Sequence, residues 1–122
     1  MVNKKLSYGR KIEQKIKVSG LKFIGKPHLE RGYLFDEIWT AHFGAAFEVC
    51  VRVWKMMIVD GLDDGLEIRH FVWSLYFLKN YPFGRVAAAK ADVDRKTFRK
   101  YVKLFIESMS MLESRVVSVF YI

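Results

Sequence analysis

Ala87-Ala88-Ala89-Lys90-Ala91-Asp92-Val93-Asp94-Arg95-Lys96-Thr97-Phe98-Arg99-Lys100-Tyr101-Val102-Lys103 is the stretch whose reading decides the fold. Its first part belongs to a short segment, Phe83 to Lys90, whose small residues Ala87 and Ala88 let a second helix cross closely. Ala91-Asp92-Val93 reads as a tight turn. Asp94 then stands at an N-cap position, because its carboxylate can accept a backbone N–H that the first helical turn leaves unpaired. A long helix is expected from Arg95 to about Leu112, with Phe98 and Tyr101 or Val102 against the core. From Phe83 to Ile106 the pattern is that of a helix-turn-helix. Such turns often use glycine where Asp92 stands, since that residue takes φ > 0; aspartate is among the better tolerated substitutes.

The opposite face of this helix carries Arg95, Lys96, Arg99, Lys100 and Lys103. Arg95, Arg99 and Lys103 are spaced by four, as are Lys96 and Lys100, so all five fall on adjacent stripes of one face. Cations with no interspersed acid make a poor salt-bridged surface and a good surface for phosphates and base edges. The plain alternative is a solvated basic face on an ordinary bundle helix.

Upstream, Leu66 to Asn80 reads as a helix that is apolar nearly all round, with Ile68, Phe71, Val72, Leu75 and Leu78 on one side and Trp73, Tyr76 and Phe77 on another. That pattern marks the central helix of a bundle. Before it, Ala46, Val49, Cys50, Val53, Trp54 and Met57 repeat at helical spacing, and a shorter helix from Phe35 ends near Gly44. Residues 60–65, Asp-Gly-Leu-Asp-Asp-Gly, are a loop by composition. Residues 1–34 are interrupted by Gly9, Gly20, Gly25, Pro27 and Gly32 and read as a flexible basic arm. Residues 116–122 are β-branched and aromatic and read as a strand with nothing in the chain to pair with. The expected fold is therefore all-α, with a flexible arm over 1–34, a five-helix bundle over 35–115 containing the helix-turn-helix, and a short C-terminal strand over 116–122. Trp54, Phe71, Leu75, Phe98 and Phe105 are its expected core.

At 122 residues the chain fits one domain, and a hydrophobic fraction of 52% argues against disorder over most of it. The single Cys50 cannot form an internal disulfide. No signal peptide or stretch of about 20 apolar residues is present, so no membrane contact is expected. The net charge of +8 favours a polyanionic partner. It is uneven: residues 1–34 carry nine Lys/Arg against Glu13 and Glu30, while the rest hold twelve against eleven acids. The arm serves either as a solubilising tail or as a phosphate-contacting or nuclear-import segment.

The remaining constellations carry no chemistry. Asp60, Asp63, Asp64 and Glu67 do not fit a calcium loop, since the twelfth position of a loop that starts at Asp60 is Phe71. His28, His42, His70 and Cys50 make no recognisable zinc set. His70 reads as a partly buried polar residue and Cys50 as packing. The serines have no paired base and acid. The sequence thus calls for no metal, no cofactor and no catalytic residue.

His70-Phe71-Val72-Trp73-Ser74-Leu75-Tyr76-Phe77-Leu78-Lys79-Asn80-Tyr81-Pro82, followed by Val93-Asp94-Arg95-Lys96-Thr97-Phe98-Arg99-Lys100-Tyr101-Val102, resembles the N-terminal region of DDE-superfamily transposases of the PIF/Harbinger group. The run His42 to Cys50 and Trp54 is similar to the same region, and the resemblance covers about residues 35–120. It implies a helix-turn-helix domain that binds double-stranded DNA in the nucleus. In such proteins this domain precedes a ribonuclease-H-like domain whose three carboxylates bind two metal ions. Two departures stand out: the family usually has Phe-Gly-Val-Asp where this chain has Ala91-Asp92-Val93-Asp94, and the sequence stops before any catalytic domain. The resemblance therefore implies a fragment, a decayed copy, or a domain retained without its nuclease. The competing reading is a helical interaction module or domesticated regulator that docks an intact transposase or a second copy of itself.

Overall fold

Helical structure begins long before Phe35. The computed structural model describes residues 3–59, 65–80 and 84–110, with side chains from Arg10 onward in the first helix and from Val86 onward in the fifth. Six helices follow in order: α1 (Asn3–Phe23), α2 (Tyr33–Phe43), α3 (Phe47–Val59), α4 (Ile68–Asn80), α5 (Gly84–Ala91) and α6 (Arg95–Ser110). The described residues are all-α and contain no strand. The expected strand at 116–122 lies outside them, as do Asp60, Asp63, Asp64, Pro82 and Phe83.

The added helix corrects the reading of residues 1–34 as a flexible arm and raises the expected five helices to six. Ile12, Ile16 and Leu21 are buried, as are Phe23 and Ile24 at the helix's end. α1 packs on α4 and α3, and burial of such side chains is worth roughly 1.5–3 kcal/mol each. Gly20 sits in the same stripe, where a Cβ would overlap the Trp39 indole of α2. The glycine read as a breaker is a point of close helix approach. The true end of α1 is at Gly25, in the left-handed conformation (φ 75). There the Lys26 N–H donates to the Leu21 carbonyl at 2.8 Å and the Gly25 N–H to the Lys22 carbonyl at 3.1 Å, which is the Schellman pattern. The loop beyond is anchored too: the Arg31 guanidinium lies 4.6 Å from the ring centroids of both Phe35 and Phe47 and pairs with Glu48 at 2.6 Å. That pairing holds the Glu48 carboxyl below its usual pKa.

α4 is the central helix, as its all-round apolar pattern predicts. It packs against α1, α2, α5 and α6. Two aromatic groups make the core. Phe35, Trp39, Phe43 and Phe47 cluster at centroid separations of 4.4–5.6 Å. Trp54, Phe71 and Phe105 join α3, α4 and α6 at 5.3–6.1 Å, and Trp73 stacks on Phe98 at 5.6 Å. Trp54, Phe71, Leu75, Phe98 and Phe105 are all buried, as expected. Cys50 packs in the core and receives the Trp39 indole N–H at 3.5 Å; burial pushes its thiol up to about 11. His70 is more deeply buried than its position beside the stripe suggested, at 1% exposure.

Candidate functional site

α5 and α6 meet through three residues whose geometry is fixed from the backbone outward. Ala87 and Ala88 are buried at the α5–α6 crossing, where larger side chains would hold the helices apart. α5 ends with the Val93 N–H bonded to the Ala88 carbonyl and the Asp92 N–H to the Ala89 carbonyl, both at 3.1 Å. This is again the Schellman pattern, and Asp92 fills its left-handed position with φ 58. The sequence reading placed positive φ at this residue, and the structure has it there. Asp94 then caps α6: its Oδ1 accepts the Thr97 N–H at 2.8 Å and its Oδ2 the Thr97 hydroxyl at 3.0 Å. These bonds stabilise the carboxylate and hold the Asp94 pKa below its usual value. Phe98 and Val102 then turn into the core, and the opposite face turns out.

Arg95, Lys96, Arg99, Lys100 and Lys103 are all exposed on that outward face. Among the described residues the ion pairs are Arg31–Glu48 and Arg69–Glu67, so none of the five cations is in a salt bridge, although the Asp94 carboxylate acts on Lys96 through space. Lys100 Nζ lies 5.3 Å from the Tyr101 ring centroid, a contact that leaves its charge intact. The placement is unfavourable for the isolated helix in two ways. Like charges at i, i+4 repel by about 0.2–0.5 kcal/mol per pair. Arg95 and Lys96 also stand in the first turn, where the helix dipole favours anions and where the capping Asp94 carboxylate offsets them only in part. A bound polyanion would relieve both.

Beside this face, Phe77 of α4 and Phe98, Val102 and Ile106 of α6 line an apolar trough of about 450 Å³, together with Arg99, Lys103 and the acid Glu107. No group of three or more His, Cys, Asp or Glu side chains suited to a metal ion occurs among the described residues. Glu67, one of the acids weighed for a metal loop, pairs instead with Arg69 at 2.6 Å. No described helix is long and apolar enough to cross a membrane.

Sequence reasoning counted Arg10, Lys11, Lys15, Lys22 and Lys26, all exposed, in a basic arm with a phosphate-contacting role as one reading, but missed the helix that carries the first four. The four-residue spacing of Ile12 and Ile16, one position on from Lys11 and Lys15, was the signal that could have exposed a two-faced helix. No protein-family model, curated protein or solved structure matches this chain.

Proposed function

We propose that the chain is a DNA-binding domain of the helix-turn-helix class, with α5 and α6 as its two helices and α6 as the reader of the major groove. Within that class we infer the N-terminal, non-catalytic part of a PIF/Harbinger-like DDE transposase acting in the nucleus, on the residue resemblance from His70 to Val102. The reading assigns the domain no cofactor and no catalysis of its own. The observation that carries it is the capped, buried-on-one-side α6, with five unpaired cations on the other side beginning in its first turn.

Arg95, Lys96 and Arg99 occupy the leading end of α6, the part of a recognition helix that reaches base edges. Arginine there can pair bidentately with guanine, worth about 1–3 kcal/mol of discrimination. Lys100 and Lys103 lie farther along and suit backbone phosphates. The test is competition binding with a duplex selected from a random pool. Arg95→Ala with Arg99→Ala should lower the preference for the selected duplex over random duplex by tenfold or more, about 1.4 kcal/mol, with the helical circular dichroism unchanged. Failure to select any duplex, or an unchanged preference in the double variant, would overturn α6 as the reader.

A further inference from the structure

We propose that α1 carries a second DNA-contacting surface, which grips the phosphodiester backbone of the duplex independently of its sequence. Lys11, Lys15 and Lys22 recur at helical spacing on a stripe of α1 about 120° around the helix from Ile12, Ile16 and Gly20, and Lys26 follows just past its end. All four are exposed, and none belongs to the ion pairs formed among the described residues. Glu13, the one acid in α1, lies off this stripe. Lys11, Gln14, Lys15, Val18 and Ser19 line a shallow and largely apolar groove along the helix.

Four features favour a phosphate backbone over a merely solvated face. Lys11 and Lys15 stand about 6 Å apart along the helix axis, inside the Debye length of about 8 Å at physiological salt, so their fields add, and Lys22 follows about 10 Å farther along the same stripe. Solubility is served as well by interspersed charges of both signs, whereas this stripe has one sign. Gln14 and Ser19 stand beside the lysines as uncharged side chains of the kind that accompany lysine at phosphates. Finally, the stripe is held in place: Gly20 lies against Trp39, and α4 packs on both α1 and α6, fixing the two basic helices in one body. From Arg10 to Phe23, α1 rises about 20 Å, the axial length of roughly six nucleotides of one strand.

The choice of DNA as the polyanion rests on the proposed reading of α6, and the experiment separates the two. The full chain and its Lys11→Gln/Lys15→Gln/Lys22→Gln/Lys26→Gln variant are titrated against selected and random duplexes of about 30 base pairs, from about 50 to 200 mM salt. The variant should lose about two to four units of slope in log affinity against log salt, close to 0.9 per phosphate released. Affinity for both duplexes should fall together by tenfold or more at the lower salt, with their ratio preserved. Because the four lysines form no ion pair among the described residues, the thermal midpoint should not fall. An unchanged slope overturns the proposal, as does a loss confined to the selected duplex. So does a variant that binds duplex normally but loses binding to phosphatidylserine vesicles. If Arg95→Ala/Arg99→Ala leaves the preference unchanged while the lysine variant flattens the slope, the reading of α6 fails and that of α1 stands.

Discussion

α1 and α6 are both basic helices packed on α4, yet only one is visible in the sequence as a helix. α6 opposes its cations with Phe98, Val102 and Phe105, backed by Tyr101, Ile106 and Met109. Large apolar side chains recur there on nearly every turn. α1 buries Ile12 and Ile16, then Gly20 in place of a third large residue, then Leu21 and Phe23. Periodicity methods weigh side-chain size, so a stripe containing a glycine looks broken even where the missing side chain is what lets the helices touch. The difference teaches that a glycine at a position already on an apolar stripe should be asked what approaches it before it is read as a stop.

The largest expected effect tests whether the two helices belong to one core. Phe98 is 1% exposed and Ile16 is 0% exposed. Phe98→Ala should cost about 3–5 kcal/mol and Ile16→Ala about 2–4 kcal/mol. Each should lower the midpoint of a single chemical unfolding transition followed by circular dichroism. A cost below about 1 kcal/mol for Ile16→Ala, or a separate early transition for α1, would restore the flexible arm that the sequence suggested.

Gly20→Ala comes next. The added Cβ would meet the Cη2 and Cζ3 atoms of Trp39, a side chain that is itself fully buried. Trp39 is hemmed in by Phe35, Phe43 and Phe47 and has little room to yield. Alanine favours helix over glycine by about 1 kcal/mol, while overpacking costs about 1–3 kcal/mol. A net loss of roughly 1–2 kcal/mol is expected in the same unfolding measurement. A gain in stability would show that α1 can slide on α2, and that the closeness at Gly20 is not needed.

The legible and illegible parts of the molecule divide along the same line. The end of α2 at Gly44, the central place of α4, the cap at Asp94 and the unusual backbone of Asp92 all follow from local chemistry, and the sequence shows them. So does the exposure of the five α6 cations, since an amphipathic helix with a dense apolar stripe can be oriented without knowing its neighbours. The docking of α1 depends on a partner, the Trp39 indole, nineteen positions away. No local pattern encodes that meeting. The full burial of His70 was equally hidden, because it depends on the Tyr101 ring brought over it from α6, at 3.8 Å between centroids.

His70 gives the two sides of α4 different responses to acid. Its Nδ1 accepts the Glu67 N–H at 2.9 Å, while Nε2 is buried with no hydrogen-bond partner. Burial first, and then the charge of Arg69, push its pKa down to about 4, against a smaller opposing pull from Glu67. The unfolded chain binds the proton near pH 6.5, so His70 adds full stability above that pH and progressively less as the pH falls to about 4. At about 1.4 kcal/mol per pKa unit, the loss across that window is on the order of 3 kcal/mol. His70→Phe keeps an aromatic ring against Tyr101 and should remove this part of the decline. Hydrogen exchange in the window should rise at the α4–α6 contact before the α1–α4 contact. Identical pH profiles for the two proteins would show that His70 is protonated without cost.

The smallest effect compares two helix ends built on the same pattern. α1 ends with Gly25 at φ 75, and α5 ends with Asp92 at φ 58, each closed by the same pair of backbone hydrogen bonds. Nothing lies within 4 Å of where a Cβ on Gly25 would stand, so a side chain there meets only its own backbone strain. The left-handed conformation costs most residues about 1–2 kcal/mol, and aspartate less. Glycine also loses more freedom on folding, which offsets part of any gain. Asp92→Gly should therefore stabilise the chain by roughly 0.5 kcal/mol, and Gly25→Asp should destabilise it by a similar amount. Measured together by thermal unfolding, the two should nearly cancel in the double variant, since the ends lie on different helices and share no partner. If Asp92→Gly instead destabilises, the aspartate side chain contributes something beyond filling a left-handed position. The turn between α5 and α6 would then owe its geometry to that side chain and not to the backbone pattern it shares with α1.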